Sequence, residues 1–343
     1  MKFSTLATGI AASSSTVIAA SNDTFDPENF VVAAVRQPPP NFPLPVGLNK
    51  TWVDFDLNAT ISQAVDIIKQ AQEDGVGLLA FPELYFPGYP ISINTNYTAD
   101  QLAQYVNQSL TINSTEWNTI TDAFADAGIY GAFGFSEHDG DYLYLGQALI
   151  GPDGSVLKTR RKLRPSGTER DIWSDGNYSG LEAISTDYGR IGLLECWEHI
   201  HPTMTFVMQA QLENIHIAAF PYAADPDKAT ENWELAEVSL SAARYYSVII
   251  NSWVLMPQVG TSAIFYQGRT IAYANATDTN NATYITATVN TTAFSNATYN
   301  VDGEQSWAAL QQIKEEWPAY IPKANSSFFE HKLNPIESFA STD

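Results

Sequence analysis

Short apolar runs of strand length alternate with amphipathic stretches of helical period along most of this chain, and that alternation requires a layered α/β fold. Val31 to Val35 reads as a first strand, Asn58 to Glu73 as an amphipathic helix, and Gly77 to Phe81 as a second strand running into Pro82-Glu83. Tyr130 to Phe135 and Tyr142 to Ile150 follow as strands, the latter turning through Gly151-Pro152-Asp153-Gly154 into Ser155 to Thr159. Ile191 to Leu194, Ile215 to Phe220 and Val248 to Trp253 carry the strand pattern, with a helix predicted over Trp233 to Tyr245. Ser262 to Ala272 reads as a hairpin through Gln267-Gly268, and Tyr284 to Val289 alternates as a final strand. No repeat or low-complexity linker divides residues 29 to 300, which predicts one domain. The tail, 301 to 343, carries Trp307, Trp317, Phe328 and Phe329 and is apolar enough to pack on that domain or on a partner subunit.

With 45% apolar residues and only 16% charged, the chain can bury a large core. Its 17 Lys and Arg against 38 Asp and Glu give a formal charge of -21, which repels both a phosphate backbone and an anionic membrane surface. Nucleic acid and membrane are therefore excluded as expected partners. Residues 1 to 20 read as a signal peptide ending in small residues near Ala20. Twelve Asn-x-Ser/Thr sequons, at Asn22, Asn49, Asn58, Asn96, Asn107, Asn113, Asn177, Asn275, Asn281, Asn290, Asn296 and Asn325, add to the expectation of a secreted, N-glycosylated protein.

Cys196 is the single cysteine, so no intramolecular disulfide is possible. A lone thiol reads either as a small buried hydrophobe or as a reactive nucleophile. Here it follows the strand-like run Ile191-Gly192-Leu193-Leu194 and precedes Trp197-Glu198-His199, Pro202 and a helical pattern through Met204, Val207, Met208 and Leu212. At such a strand-to-helix corner, helix N-terminal amides favour thiolate over thiol and offer donors to a developing oxyanion. Phe81-Pro82-Glu83 closes another apolar strand, where a carboxylate is either solvated or a general base. Arg160-Arg161-Lys162 begins where the hairpin strand ends and is a solvated face unless a site claims it. His199 and His201, two apart with no Cys or Asp partner at recognisable spacing, make a poor metal site, and no Gly-rich phosphate loop stands out, so no cofactor is expected.

Taken in order, these blocks resemble the nitrilase superfamily over about residues 30 to 290. Phe81-Pro82-Glu83-Leu84-Tyr85-Phe86-Pro87-Gly88-Tyr89-Pro90 is similar to the block holding its catalytic glutamate. Arg161-Lys162-Leu163-Arg164-Pro165 with Glu169-Arg170 is similar to its lysine block, and Gly189-Arg190-Ile191-Gly192 leading into Cys196-Trp197-Glu198-His199 to its nucleophile block. The resemblance implies an α-β-β-α four-layer sandwich that pairs into homodimers or larger homo-oligomers. It implies catalytic Glu83, Lys162 and Cys196, with Glu169 helping to position the lysine and the Trp197 amide as an oxyanion donor. Cys-Trp-Glu is typical of the nitrilase and cyanide-hydrolysing branch, so a small nitrile is the implied substrate and acid plus ammonia the implied product. A hydratase or amidase on the same residues, or a catalytically silent scaffold, are the rival expectations. Two departures from the family pattern bear on pocket and assembly: Ser241 to Tyr246 lacks an acidic residue, and the tail lacks a Gly-His-Tyr segment.

Overall fold

The structure, a computed structural model, describes residues 25–44, 51–94, 97–224, 229, 231–276, 282–297, 307–321 and 329–341. The expected signal peptide, Phe328, and the sequons at Asn22, Asn49, Asn96, Asn281 and Asn325 lie outside the described residues. In chain order the first half supplies strands β1 (Phe30–Val35), β2 (Leu78–Ala80), β3 (Tyr130–Asp139), β4 (Tyr142–Ile150) and β5 (Val156–Arg161). Between them run helices α1 (Leu57–Glu73), α2 (Ala99–Asn107) and α3 (Thr115–Ala127). The second half supplies β6 (Ile184–Thr186), β7 (Gly189–Glu195), α4 (Pro202–Gln209), β8 (Ile215–Ala219), α5 (Ala236–Ile249), β9 (Trp253–Met256), β10 (Ser262–Tyr266), β11 (Arg269–Ala274), β12 (Tyr284–Val289) and α6 (Ala308–Glu315).

Two six-stranded mixed sheets result, ordered β12-β1-β2-β3-β4-β5 and β11-β10-β9-β8-β7-β6. Each has a central parallel trio, β1-β2-β3 in one and β7-β8-β9 in the other. Strand alternation builds the layers. Val32, Ala34, Leu78 and Ala80 face Leu193, Ile215, Ile217 and Leu255 between the sheets. Ala33, Val35, Leu79 and Phe133 face outward onto Ile61, Ile67 and Ile68 of α1 and Phe124 of α3. Leu194, Ala218, Val254 and Phe265 face the opposite way onto Met208, Ala243 and Tyr246 of α4 and α5. This is the α-β-β-α sandwich. Asp56 caps α1 by accepting from Ala59 N, and Gly128 ends α3 in the left-handed conformation (φ 66°) that glycine adopts without cost.

Three local expectations are corrected. The predicted strand Val248 to Trp253 is the end of α5 and a turn, and the strand starts only at Trp253. Val248 and Ile250 read as strand residues, but Tyr246 and Ile250 bury against the second sheet at helical spacing and that packing wins. The helix predicted over Trp233 to Tyr245 is instead Ala236–Ile249, and α2 and α3 occupy a polar, Asn- and Thr-rich stretch where no helix is expected. In the tail, described Trp307, Trp317 and Phe329 are all largely exposed. The tail still packs on the domain: Ile336, Phe339 and buried Ala340 join the cluster of Phe55, Tyr105 and Trp173, and Trp307 meets Phe206 with ring centres 5.2 Å apart. Lys332 N donates to Asp175 Oδ2 at 2.9 Å, and Asn334 Nδ2 donates to the carbonyls of Arg170 at 2.8 Å and Trp173 at 3.0 Å.

Candidate active site

Glu83, Lys162 and Cys196 follow the ends of β2, β5 and β7, and the parallel trios aim two of these three strand ends toward one edge of the sandwich. The turn carrying Glu83 lies directly on β3, where a Cβ at Gly134 would come within 2.7 Å of Glu83 Cα; glycine there is what admits the turn. Lys162 is fully buried, with Nζ 2.6 Å from Glu83 Oε1 and 2.8 Å from Glu169 Oε2. Glu169 sits in a short 3-10 turn (Gly167–Asp171) and is itself held by Ser166 N at 2.7 Å and the Tyr89 hydroxyl at 3.1 Å. The expected pairing of Glu169 with the lysine is therefore present across a seven-residue separation that no helix spans.

The ion triad carries two carboxylates for one ammonium, and burial sharpens the imbalance. Burial raises Glu83, Lys162 opposes it, Glu169 adds to it, and the result is a carboxyl pushed up to about 7. Burial works against the Lys162 charge, but Glu169 and Glu83 outweigh it and hold its pKa well above the ordinary lysine value. Glu83 Oε2 accepts no hydrogen bond, which leaves it open to take a proton.

Cys196 is half-buried and sits at the corner with φ 44°, an uncommon conformation for a side-chain-bearing residue. Here the sequence expectation of a thiolate is corrected. Burial first, then the Glu83 charge, push the Cys196 thiol well above its ordinary value, with Lys162 pulling the other way. The corner opens into a single 3-10 turn (Cys196–Ile200) before α4 starts at Pro202, too short a dipole to offset those two effects. The thiol is thus protonated at rest and needs a base, and Glu83 with a pKa near 7 is the poised one. Thiol alkylation by iodoacetamide should therefore accelerate as pH rises through about 7, where Glu83 loses its proton, and Glu83→Gln should remove that limb.

Several residues missed in the sequence complete the site. Glu198 is fully buried; it accepts from Arg160 Nη2 at 2.7 Å, Leu163 N at 2.9 Å and Glu195 N at 2.8 Å. It thereby ties the end of the lysine strand to the cysteine corner, and Arg160 holds its pKa below the usual carboxylate range despite burial. Glu195, next to the nucleophile, is fully buried with neither carboxylate oxygen hydrogen bonded, and burial holds it as a neutral acid. Tyr89 and Tyr222 stack obliquely with ring centres 5.6 Å apart, Trp233 meets Tyr222 at 6.1 Å, and the Tyr222 hydroxyl donates to Glu234 at 3.0 Å. Glu234 is itself buried, in the short turn ahead of α5. Trp197 is half-buried beside the nucleophile. His199 and His201 diverge: His199 points inward, with both ring nitrogens in hydrogen bonds, and His201 is exposed. Among the described residues no cluster of three or more potential metal ligands is present.

A family model described as carbon-nitrogen hydrolase matches residues 32–296. The chain is 34% identical over 210 residues to a nitrilase of Talaromyces marneffei, a match covering 59% of this chain and 65% of that protein. It is 38% identical over 207 residues to an arylacetonitrilase of Aspergillus kawachii, covering 60% and 62% respectively. To a cyanide hydratase of Alternaria brassicicola it is 37% identical over 213 residues, covering 59% and 58%. The chain thus spans somewhat under two thirds of the length of these curated relatives. Among solved structures, a Nesterenkonia amidase from the nitrilase superfamily superposes with a TM-score of 0.59 at 14% identity, over 77% of this chain and 92% of that one, a likeness of fold.

Proposed function

Because the chain belongs to the carbon-nitrogen hydrolase family, we propose that it hydrolyses an organic nitrile to a carboxylic acid and ammonia, with Cys196 as nucleophile. The observation that carries this reading is the buried Lys162 ammonium clamped between Glu83 and Glu169, with Glu83 Oε2 unpartnered and Glu83 the charge acting most strongly on the chain's only thiol. In this reading Glu83 takes the thiol proton as sulfur bonds to the nitrile carbon, and Lys162 delivers a proton to the nitrogen as negative charge grows there. The product is a thioimidate. Glu83 passes the thiol proton on to Lys162 across their 2.6 Å contact and, a base again, deprotonates a water that adds to the carbon while Lys162 protonates the imine nitrogen, which gives a tetrahedral species bearing sulfur, hydroxyl and amine. Loss of ammonia leaves a thioester, which a second water cleaves to the acid, restoring the thiol. Loss of sulfur from the same species releases an amide instead.

The aromatic wall of Tyr89, Tyr222 and Trp233 supports an arylacetonitrile as substrate, as does the relative named for that class. A second reading, hydration to the amide, has support from the relative named cyanide hydratase. The experiment is to incubate the purified protein with phenylacetonitrile, cyanide and phenylacetamide and measure acid, amide and ammonia. Acid with stoichiometric ammonia from the nitrile is expected. Amide alone moves the reading to a hydratase, turnover of phenylacetamide alone to an amidase, and no product from any of the three to a silent scaffold.

Export and self-association belong to the same proposal. Among the described sequons, Asn58, Asn107, Asn113, Asn177, Asn290 and Asn296 are exposed, which supports glycosylation of a secreted protein. Enzymatic deglycosylation of the secreted product should lower its mass. Val207 on α4 and Tyr245 and Val248 on α5 are exposed apolar side chains on these two outer helices, which supports pairing of two copies through them.

A further inference from the structure

Behind the nucleophile, a chain of buried polar groups leads away from the site and takes no part in the proposed chemistry. His199 Nδ1 lies 2.9 Å from the Cys196 carbonyl oxygen, His199 Nε2 lies 2.9 Å from His216 Nε2, and His216 Nδ1 lies 2.9 Å from Glu213 Oε1. The Tyr246 hydroxyl donates to the other Glu213 oxygen. Glu213 is 2% exposed, His199 5%, and His216 and Tyr246 are fully buried. We propose that Glu213, His216 and His199 are a positioning relay that fixes the Cys196–Trp197 peptide plane and so aims the Trp197 N–H.

Hydrogen-bond geometry sets the direction of the relay. The Cys196 carbonyl can only accept, so His199 Nδ1 carries hydrogen. His199 is neutral, because burial and the neighbouring His216 hold its pKa well below the ordinary value. Its Nε2 is then an acceptor, and His216 Nε2 must donate to it. One further proton is shared between His216 Nδ1 and Glu213, and Tyr246 supplies the remaining donor. The bonds from His216 to His199 and from His199 to the carbonyl both point toward Cys196, and bonds aligned this way strengthen one another in a low-dielectric interior.

The relay acts on the site through the peptide plane. Among the described residues the only cis peptide is Phe86–Pro87, so the Cys196–Trp197 bond is trans and its C=O and N–H point in opposite directions. Pinning the carbonyl toward His199 therefore turns the Trp197 N–H to the other side of the plane. That N–H stands in the first turn of the Cys196–Ile200 segment, where amides have no partner within the turn. The corner needs such an anchor because Cys196 holds φ 44°, from which a side-chain-bearing residue relaxes readily. The sequence also makes room for the relay. A Cβ at Gly192 on β7 would fall 1.2 Å from Glu213 Oε1, so the carboxylate lies against bare backbone on the strand that leads to the nucleophile.

The effect on turnover rests on the nitrilase reading; the effect on the Trp197 amide does not. The experiment compares Glu213→Leu and His199→Leu with their conservative counterparts Glu213→Gln and His199→Asn. Glutamine can donate to His216 Nδ1 and accept from Tyr246, and asparagine places an N–H near the position of His199 Nδ1. In protein with its eight tryptophans labelled with nitrogen-15, the Trp197 amide resonance is assigned by its loss in Trp197→Phe. It should move in both leucine variants and return toward the wild-type position in the Gln and Asn variants. On phenylacetonitrile, kcat should fall about 10- to 100-fold in the leucine variants with KM within about twofold, the pattern of a lost transition-state donor. The Gln and Asn variants should stay within about fivefold of wild type. A Trp197 resonance unmoved in the folded leucine variants overturns the relay even if the nitrile is not a substrate. So does equal loss in leucine and conservative variants, which marks a merely structural role. If a leucine variant fails to fold, His216→Phe takes its place with the same expected shift.

Discussion

Cys196→Ser is expected to lower kcat on a nitrile by a factor on the order of 10⁴ or more while leaving the thermal midpoint nearly unchanged. Serine keeps the size and the corner conformation of Cys196, so packing changes little and the stability difference stays within about 1 kcal/mol. The chemistry changes far more. Glu83, pushed up to about 7, is a base matched to a thiol and far too weak to ionise an alcohol. An oxygen adduct would also be a poorer leaving group when the acyl intermediate is hydrolysed. The measurement is steady-state kinetics with protein shown by mass spectrometry to carry no residual cysteine. Undiminished turnover would remove Cys196 from the mechanism.

Lys162→Met is the second large effect, and it reaches both activity and stability. Methionine fills the space of the lysine stem but leaves the Glu83 and Glu169 carboxylates facing one another without a cation. Removing one partner of a buried ion pair costs about 3–5 kcal/mol, and for a chain of this size that is a fall of roughly 4–7 °C in the midpoint. Activity should drop about 10³-fold or more, because the proton donor to the nitrile nitrogen is gone. The two carboxylates can escape the repulsion by binding protons. Glu83, already raised to about 7 with the lysine in place, rises further without it, so the folded state holds its proton over a wider pH range and the variant's stability rises as pH falls. The deficit relative to wild type should therefore be smaller at about pH 5 than at about pH 8. Thermal melts of both proteins at the two pH values test this, and a deficit independent of pH would contradict the clamp.

The layered fold is legible because one face of each strand is so consistently apolar, and β4, β12 and the β10–β11 hairpin fall where alternation puts them. What escapes is set by tertiary packing. Val248 and Ile250 carry strand-forming side chains, yet the packing of Tyr246 and Ile250 on the second sheet keeps this stretch with α5. The polar helices α2 and α3 bury only a narrow stripe, with Leu102, Tyr105 and Val106 in one and Trp117, Ile120 and Phe124 in the other. In the site, strand alternation separates the basic run: Arg160 and Lys162 point inward and are buried, while Arg161 lies outward over the Tyr144 ring, paired with Glu137 and Asp139. A cluster that reads as a solvated face is thus split between catalysis and surface. Glu198, Glu213 and His216 were missed because, beyond the Glu213–His216 contact three residues apart, their roles depend on partners far along the chain: Arg160 lies 38 residues from Glu198, His199 17 from His216 and Tyr246 33 from Glu213. The thiolate expected at the corner fails for a related reason: local helix geometry is visible in a sequence, whereas burial and the Glu83 charge are not.

The central claim is a covalent bond between substrate carbon and the Cys196 sulfur. Acid-quenched wild-type protein, taken within milliseconds of mixing with phenylacetonitrile and examined by mass spectrometry after digestion, reads that bond directly. One thioimidate or thioester adduct per chain, located on Cys196 and absent from Cys196→Ser, is the expected result. Acid and ammonia forming at full rate with the Cys196 peptide unmodified, or an adduct on another residue, would contradict the account.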